Sequence, residues 1–247
     1  MIVQCWAAND FDMKKNKVLD DMARTATRNS GTPTDTKKTS AGPASSRIST
    51  VCVYCGSGKG RNPKYAEATQ VLGQALAARN IGLVYGGGGL GLMGEVARAT
   101  LSAGGHVTGI IPEFLMQKEH ALENATELIV TGDMHERKRL MFEKSDAFIA
   151  LPGGIGTLEE LVEQLTWAQL GRHQKPIVLA NIDGFWSPFL ELLRHMKSET
   201  FIRSGLDVTF TVVDRAEQIV PAAEAQAHAQ ATLSAAELPD GVSIALF

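Results

Sequence analysis

A short apolar run, a glycine-rich turn and the start of a helix lie together at residues 146–160. Gly153, Gly154 and Gly156 have no Cβ, so a ligand can approach the main chain at this turn. The amides that open the predicted helix near Thr157 have no partners within the helix, and such amides are typical of a phosphate site. The turn therefore predicts an anion site.

Two carboxylates beside this site indicate that it does more than hold a phosphate. Glu159 and Glu160 follow the glycines directly, and carboxylates close to a phosphate repel it. Their position predicts chemistry, or recognition of hydroxyl groups, on the part of the ligand next to the phosphate.

Two further turns are rich in small residues. Residues 55–60 carry Ser57, whose hydroxyl can join the backbone amides around a phosphate or a ribose, although plain turn geometry explains such a turn as well. Residues 86–94 hold four consecutive glycines, with Gly88 and Met93 among them. Glycine is costly where a helix forms, so close approach to a ligand or to a neighbouring element is expected there.

Neither turn has the spacing of a dinucleotide fingerprint or a lysine-bearing phosphate loop, which disfavours NAD and nucleoside triphosphatase chemistry.

A basic cluster follows at residues 131–139. Asp133 is a good N-cap for a helix that places Met134 and Arg137 on one face, with Lys138 one step around. A charged, solvated helix face is the plain alternative. The position after a strand favours a site, in which Arg137 faces Glu159 and Glu160 across a crevice.

The elements that must position these turns alternate between short apolar runs and amphipathic stretches, the pattern of βαβ units. The pattern predicts an α/β fold, with a Rossmann-like, doubly wound and mainly parallel sheet of about seven strands in a single domain. Ligands in such sheets bind beyond the carboxyl ends of the strands. We predict strands at residues 48–54, 82–85, 107–111, 127–130, 147–151, 177–180 and 209–213. We predict helices at residues 63–79, 92–103, 134–144, 157–170 and 188–198, and a final helix from residue 216 into the tail.

Composition narrows the classes of function. The chain has 247 residues and 44% hydrophobic content, with 24 basic against 27 acidic residues for a formal net charge of -3. This balance gives no positive field for nucleic acid or an acidic membrane, so a small-molecule partner is expected. The three cysteines do not form a disulfide framework, and together with the lack of a signal peptide they favour the cytoplasm. The histidines lack metal-ligand spacing with cysteine or acidic partners, so no metal is expected.

The polar residues 1–46 predict a disordered extension, and residues 221–247 an alanine-rich tail. The domain between them is expected at residues 47–220.

Three motifs in order resemble the signature set of the Lonely Guy family, whose members are often mislabelled as lysine decarboxylases. They are GGGGLGLMG at residues 86–94, MHERK at 134–138 and PGGIGTLEE at 152–160. The resemblance extends over roughly residues 48–213. It implies a Rossmann-like homodimer or larger assembly with phosphoribohydrolase activity and no cofactor. Such an enzyme cleaves a cytokinin riboside 5'-monophosphate, or a related nucleotide such as AMP, to the free base and ribose 5-phosphate.

The resemblance also implies roles for individual residues. Arg137 and Glu160 match the residues that the family uses in catalysis. The nucleotide-contacting positions match Glu119, Arg137, Lys138, residues 154–159 and Thr166. The chain departs from the family pattern before Glu119, where relatives often have proline and arginine, and in its long terminal extensions. These departures bear on substrate preference and assembly.

Two other functions remain as alternatives. A pyridoxal phosphate-dependent lysine decarboxylase needs a Schiff-base lysine with an acid partner for the ring nitrogen, and the sequence offers no such arrangement. A non-catalytic nucleotide or cofactor carrier needs the phosphate cradle but not the acid. The presence of both Arg137 and Glu160 favours an N-glycosidase, because breaking an N-glycosidic bond develops positive charge on the sugar that a carboxylate stabilises.

Overall fold

The computed structural model describes residues 47–202 and 209–236, and the side chains only as far as residue 232. Seven strands in these ranges form one sheet in which every neighbouring pair is parallel. The strands are β1 (Thr50–Tyr54), β2 (Gly82–Tyr85), β3 (Val107–Pro112), β4 (Glu127–Thr131), β5 (Ala147–Ala150), β6 (Ile177–Ala180) and β7 (Thr211–Val213). The predicted extension at residues 1–46 and the last part of the predicted tail lie outside the described residues.

Six helices cover the two faces of this sheet. They are α1 (Pro63–Ala78), α2 (Gly91–Ser102), α3 (Met134–Glu143), α4 (Ile155–Gln169), α5 (Ser187–Ser198) and α6 (Ile219–Ala236). Apolar residues of α1, α2 and α6 pack with Val51 and Val53 of β1, whereas those of α3, α4 and α5 pack with Cys52 and Tyr54. Successive strand residues point to opposite faces, so β1 supplies both cores. The α/β fold predicted from the sequence is confirmed.

The strand order β4-β3-β2-β1-β5-β6-β7 fixes where a ligand can bind. The chain winds outward from β1 to β4 and then returns to place β5 on the other side of β1. The connections after β1 and β5 therefore lead to opposite faces, and a crevice opens between their carboxyl ends. The turns at Ser57 and Gly154 flank this crevice.

Element bounds agree with the sequence predictions to within two residues, except that the last helix begins at Ile219, three residues after the predicted start. One of these shifts affects the site. Helix α4 begins at Ile155 rather than near Thr157, so Gly154 is its N-cap. At the other end, α6 crosses the boundary that we predicted at residue 220, and Ala223 in it is buried. Within the described ranges, no helix has the length and apolar character needed to cross a membrane.

Candidate active site

The N-terminus of α4 is open to a ligand. Gly154 caps the helix without a side-chain hydrogen bond. A Cβ on Gly154 or Gly156 would meet no protein atom within 4 Å, whereas a Cβ on Gly153 would collide with the side chain of Thr157. The free amides and the helix dipole at this end favour an anion.

The N-terminus of α2 is closed, although its turn is also rich in glycine. The amides of Leu92 and Met93 both donate to the carbonyl of Gly56, at 3.0 and 3.3 Å. Gly91 has a φ of +55°, and a Cβ there would collide with the backbone of Ser57. Of the two explanations that the sequence left open, the described contacts at Gly91 fit close approach to a neighbouring element.

Arg137 is fixed by the ends of two strands. Only 6% of this residue is exposed, and its Nε donates to the carbonyl oxygen of Ile110 at 3.2 Å. Its Nη2 donates to the carbonyl oxygen of Gly86 at 3.3 Å, in a position that a Cβ on Gly86 would block. The side chain of Asp133 caps α3, as predicted, by accepting a hydrogen bond from the amide of Glu136 at 2.8 Å. This cap fixes the start of the helix and thereby the position of Arg137 in its first turn.

Glu160 lies opposite this guanidinium. Its Oε1 is 3.9 Å from Nη1 of Arg137, and 9% of the residue is exposed. Burial raises the pKa of Glu160 to about 7, because the charged form is poorly solvated there. The nearby arginine acts in the opposite direction, whereas the charges of Glu159 and Glu119 add to the rise. The carboxyl is therefore poised to exchange a proton near neutral pH.

Glu119 brings a second acid from the connection between β3 and β4. Its carbonyl accepts a hydrogen bond from the amide of Gly89 at 3.0 Å, which ties this connection to the four-glycine turn. Burial raises the pKa of Glu119, and Arg137 partly offsets the rise. Its Oε2 is buried and has no hydrogen-bond partner among the described residues. A ligand hydroxyl or amino group would supply that partner.

These groups enclose a cavity of about 200 Å³. Its lining residues are Cys55, Gly56, Ser57, Met93, Glu119, Arg137, Gly154, Ile155, Gly156, Thr157 and Glu160. One end presents open amides and hydroxyls to an anion, and the other presents two acids and an arginine. Eight of the predicted site residues therefore meet in one place, drawn from five separate stretches of the chain.

The remaining predicted residues lie outside this lining. Lys138 is held by Glu159 and Glu163, with Nζ to Oε1 distances of 2.7 and 3.0 Å. Thr166 is exposed on α4, and its hydroxyl donates to a backbone carbonyl of the same helix. Three other predicted residues pack behind the residues that line the cavity. Gly88 packs under Met93 and Glu119, and Gly153 packs on Thr157. The Sδ atom of Met134 lies 3.8 Å from Nη1 of Arg137.

Two lining residues were missed by the sequence analysis. Cys55 and Gly56 belong to the turn that was singled out for Ser57, and only the strand geometry shows that they also face the cavity. Ile155, which also lines the cavity, belongs to the stretch 154–159 that the resemblance implied for nucleotide contact. It is an apolar residue in the first turn of α4, and it is 82% exposed in the fold.

No cluster of three metal-ligating side chains occurs in the part of the chain that the structure describes. No lysine is among the residues that line the cavity around Arg137 and Glu160. The donor set therefore consists of carboxylates, one guanidinium, hydroxyls and backbone amides.

Comparisons with known proteins place these features in context. The family described as possible lysine decarboxylase matches residues 93–223. A cytokinin riboside 5'-monophosphate phosphoribohydrolase from Oryza sativa subsp. japonica is 53% identical over 161 residues, which are 65% of this chain. The match spans 66% of the rice protein, just under two thirds of its length. A protein of the same name from Arabidopsis thaliana is 48% identical over 180 residues, or 73% of this chain and 79% of that protein.

Solved structures with the same fold include two cofactor-binding proteins. The molybdenum cofactor binding protein from Rippkaea orientalis has a TM-score of 0.54 at 24% identity, over 72% of this chain and 96% of that one. The Moco carrier protein from Chlamydomonas reinhardtii also has a TM-score of 0.54, at 23% identity over 74% and 99% of the two chains. At this level of identity the likeness concerns the fold alone.

Proposed function

The chain belongs to the Lonely Guy family, and on that premise we propose that it hydrolyses the N-glycosidic bond of a nucleoside 5'-monophosphate. The substrate is a cytokinin riboside 5'-monophosphate or AMP, and the products are the free base and ribose 5-phosphate. The observation that carries the proposal is the pairing of Arg137 and Glu160 in a cavity whose opposite wall is the open N-terminus of α4. The relatives named above act on this class of substrate.

The 5'-phosphate lies at the N-terminus of α4 in this proposal. The amides at Gly154, Gly156 and Thr157 donate to its oxygens, and the helix dipole adds a favourable field. Ser57 faces the same volume from the turn after β1. The ribose then extends toward Glu160, one sugar ring away.

The reaction adds water across the bond between the anomeric carbon and the base nitrogen. Positive charge develops on the sugar as this bond lengthens, and the ionised Glu160 stabilises that charge and orients the attacking water. The water oxygen bonds to the anomeric carbon, and its proton passes to Glu160. The base leaves with the bonding electrons and takes a proton from solvent, and Glu160 then returns its proton to solvent. Arg137 keeps the buried carboxylate paired, and Glu119 accepts from a ribose hydroxyl or from the base.

The N-glycosidase and carrier hypotheses make different predictions for one experiment. The chain is incubated with a panel of nucleoside monophosphates, and free base and ribose 5-phosphate are separated by chromatography. We expect both products in equal amounts, and little of either from Glu160→Gln. Absence of base release from every nucleotide would favour a carrier. Full activity of a folded Glu160→Gln variant would remove Glu160 from the mechanism.

A homodimer or higher homo-oligomer and a cytoplasmic location complete the proposal. Ile155 and Val162 on α4 and Leu170 at its C-cap are exposed, and a second copy would cover them. Glu159 and Thr166 lie near them on the helix, so a nucleotide contact by Thr166 is best explained across such an interface. Light scattering measures the mass in solution. The two free thiols at Cys52 and Cys55 support a reducing compartment.

A further inference from the structure

A second cavity of about 280 Å³ lies on the other side of the turn that contains Ser57. The rings of Tyr65 and Phe185 form its apolar wall together with Leu92 and Pro152, and the two rings meet edge to face with centroids 5.6 Å apart. This cavity is larger than the one around Arg137 and Glu160, and the proposed hydrolysis leaves it unused.

The two cavities meet at the phosphate end of the site. Gly56, Ser57 and Gly154 line both of them, whereas Arg137 and Glu160 line only the first. A nucleotide whose 5'-phosphate lies on Gly154 thus has its ribose on one side of the Ser57 turn. The second cavity lies on the other side of this turn and adjoins the same phosphate position, so it offers room for a group attached to that phosphate. A crevice at the point where the strand order reverses is where doubly wound folds bind extended nucleotides.

Lys59 gives the second cavity a positive charge. It lines the cavity within a run of glycine-rich backbone, and its side chain is 64% exposed. Its Nζ lies 2.8 Å from Oε1 of Glu95, which is mostly buried. An ammonium group has three donors, so Lys59 can bind a phosphate oxygen while it keeps the contact with Glu95. Compact lysine charges of this kind are common phosphate ligands.

We propose that the second cavity binds the extension of a 5'-nucleotide that carries a second phosphoryl group. Lys59 contacts that phosphoryl group, and the first phosphate occupies the same amides of α4 as in the monophosphate. Nucleoside 5'-diphosphates are then ligands of this protein, and they compete with the monophosphate because both use the Gly154 turn. The inference rests on the proposed placement of the monophosphate.

The test uses the full chain with ADP as the probe. The affinity for ADP is measured by titration calorimetry, and its inhibition of ribose 5-phosphate release from AMP is measured in parallel. Lys59→Met removes the charge that contacts the second phosphoryl group. Glu95→Gln breaks the same ion pair but keeps the lysine, and Lys64→Met removes a similarly exposed lysine that pairs with Asp183 outside the cavity.

We expect ADP to bind and to inhibit competitively, and Lys59→Met to weaken ADP binding about ten-fold, the loss of one charge-assisted hydrogen bond. The kcat and KM for the monophosphate should stay within about two-fold in that variant, and Glu95→Gln and Lys64→Met should bind ADP as the wild type does. Absence of ADP binding, an equal loss from Lys64→Met, or the same loss from Glu95→Gln would overturn the inference. Failure of the proposed hydrolysis is a separate result, because it appears as no product from AMP, whereas ADP affinity is measured directly.

Discussion

Replacing Glu160 with glutamine is expected to stabilise the protein at alkaline pH while it abolishes hydrolysis. Burial raises the pKa of the Glu160 carboxyl from the ordinary 4.5 to about 7. The folded protein therefore holds this proton more tightly than the unfolded chain does. Ionisation of Glu160 in the fold lowers the free energy of unfolding, and a neutral glutamine of the same shape avoids that loss.

The difference between a pKa of 4.5 and one of about 7 corresponds to about 3 kcal/mol at roughly 1.36 kcal/mol per pH unit. The stabilisation from the protonated carboxyl is fully present below pH 4.5 and is lost as the pH rises to about 7. The variant should thus exceed the wild type by about 1 kcal/mol at pH 5 and by about 3 kcal/mol at pH 8. The larger value corresponds to a rise in Tm of about 6 to 12 °C.

Urea unfolding at both pH values measures this difference, and ribose 5-phosphate release measures activity. In the wild type, kcat/KM should rise with pH through about 7 as Glu160 loses its proton. Glu159→Gln is the matched control, because Glu159 is exposed and its replacement should cost less than about 1 kcal/mol at either pH. The reasoning is refuted if Glu160→Gln is less stable than the wild type at pH 8, or if its stability difference is the same at both pH values.

Four further substitutions test the rest of the site. Arg137→Met leaves two backbone carbonyls without their donor and Glu160 without its ion-pair partner. We therefore expect kcat to fall at least about 100-fold and stability to fall by about 3 kcal/mol, measured by kinetics and urea unfolding. Gly154→Ala adds a methyl group where no protein atom lies within 4 Å, so KM should rise about ten-fold with little change in Tm. Gly91→Ala, in contrast, forces a left-handed residue into a backbone collision and should cost about 1 to 3 kcal/mol in urea unfolding. Glu163→Gln removes one of the two carboxylates that hold Lys138 and should lower the free energy of unfolding by about 1 kcal/mol.

Each of these expectations has a contrary result. An active Arg137→Met enzyme would show that the arginine only supports the wall. A Gly154→Ala variant with unchanged KM would place the phosphate elsewhere, and a Gly91→Ala variant as stable as the wild type would contradict the tight contact with the Ser57 turn. If the free energy of unfolding of Glu163→Gln equals that of the wild type, the attraction between Lys138 and Glu163 is fully offset by the cost of removing these charges from water.

The chain by itself determined the elements and the class of sheet that they form. Apolar runs separated by amphipathic stretches are local signals, because each strand or helix is specified mainly by its own neighbours along the chain. The glycines at 153–156 and the carboxylates after them likewise lie within one short stretch, so an anion site with acids beside it was visible without the fold.

Only the tertiary structure decided which of these features are open to a ligand. The glycine turns before α2 and α4 look alike in sequence, yet the carbonyl of Gly56 occupies the first and leaves the second free. The carbonyls that hold Arg137 come from residues 27 and 51 positions away along the chain. The pKa of Glu160 depends on burial, which arises from packing between distant segments and has no counterpart in local sequence.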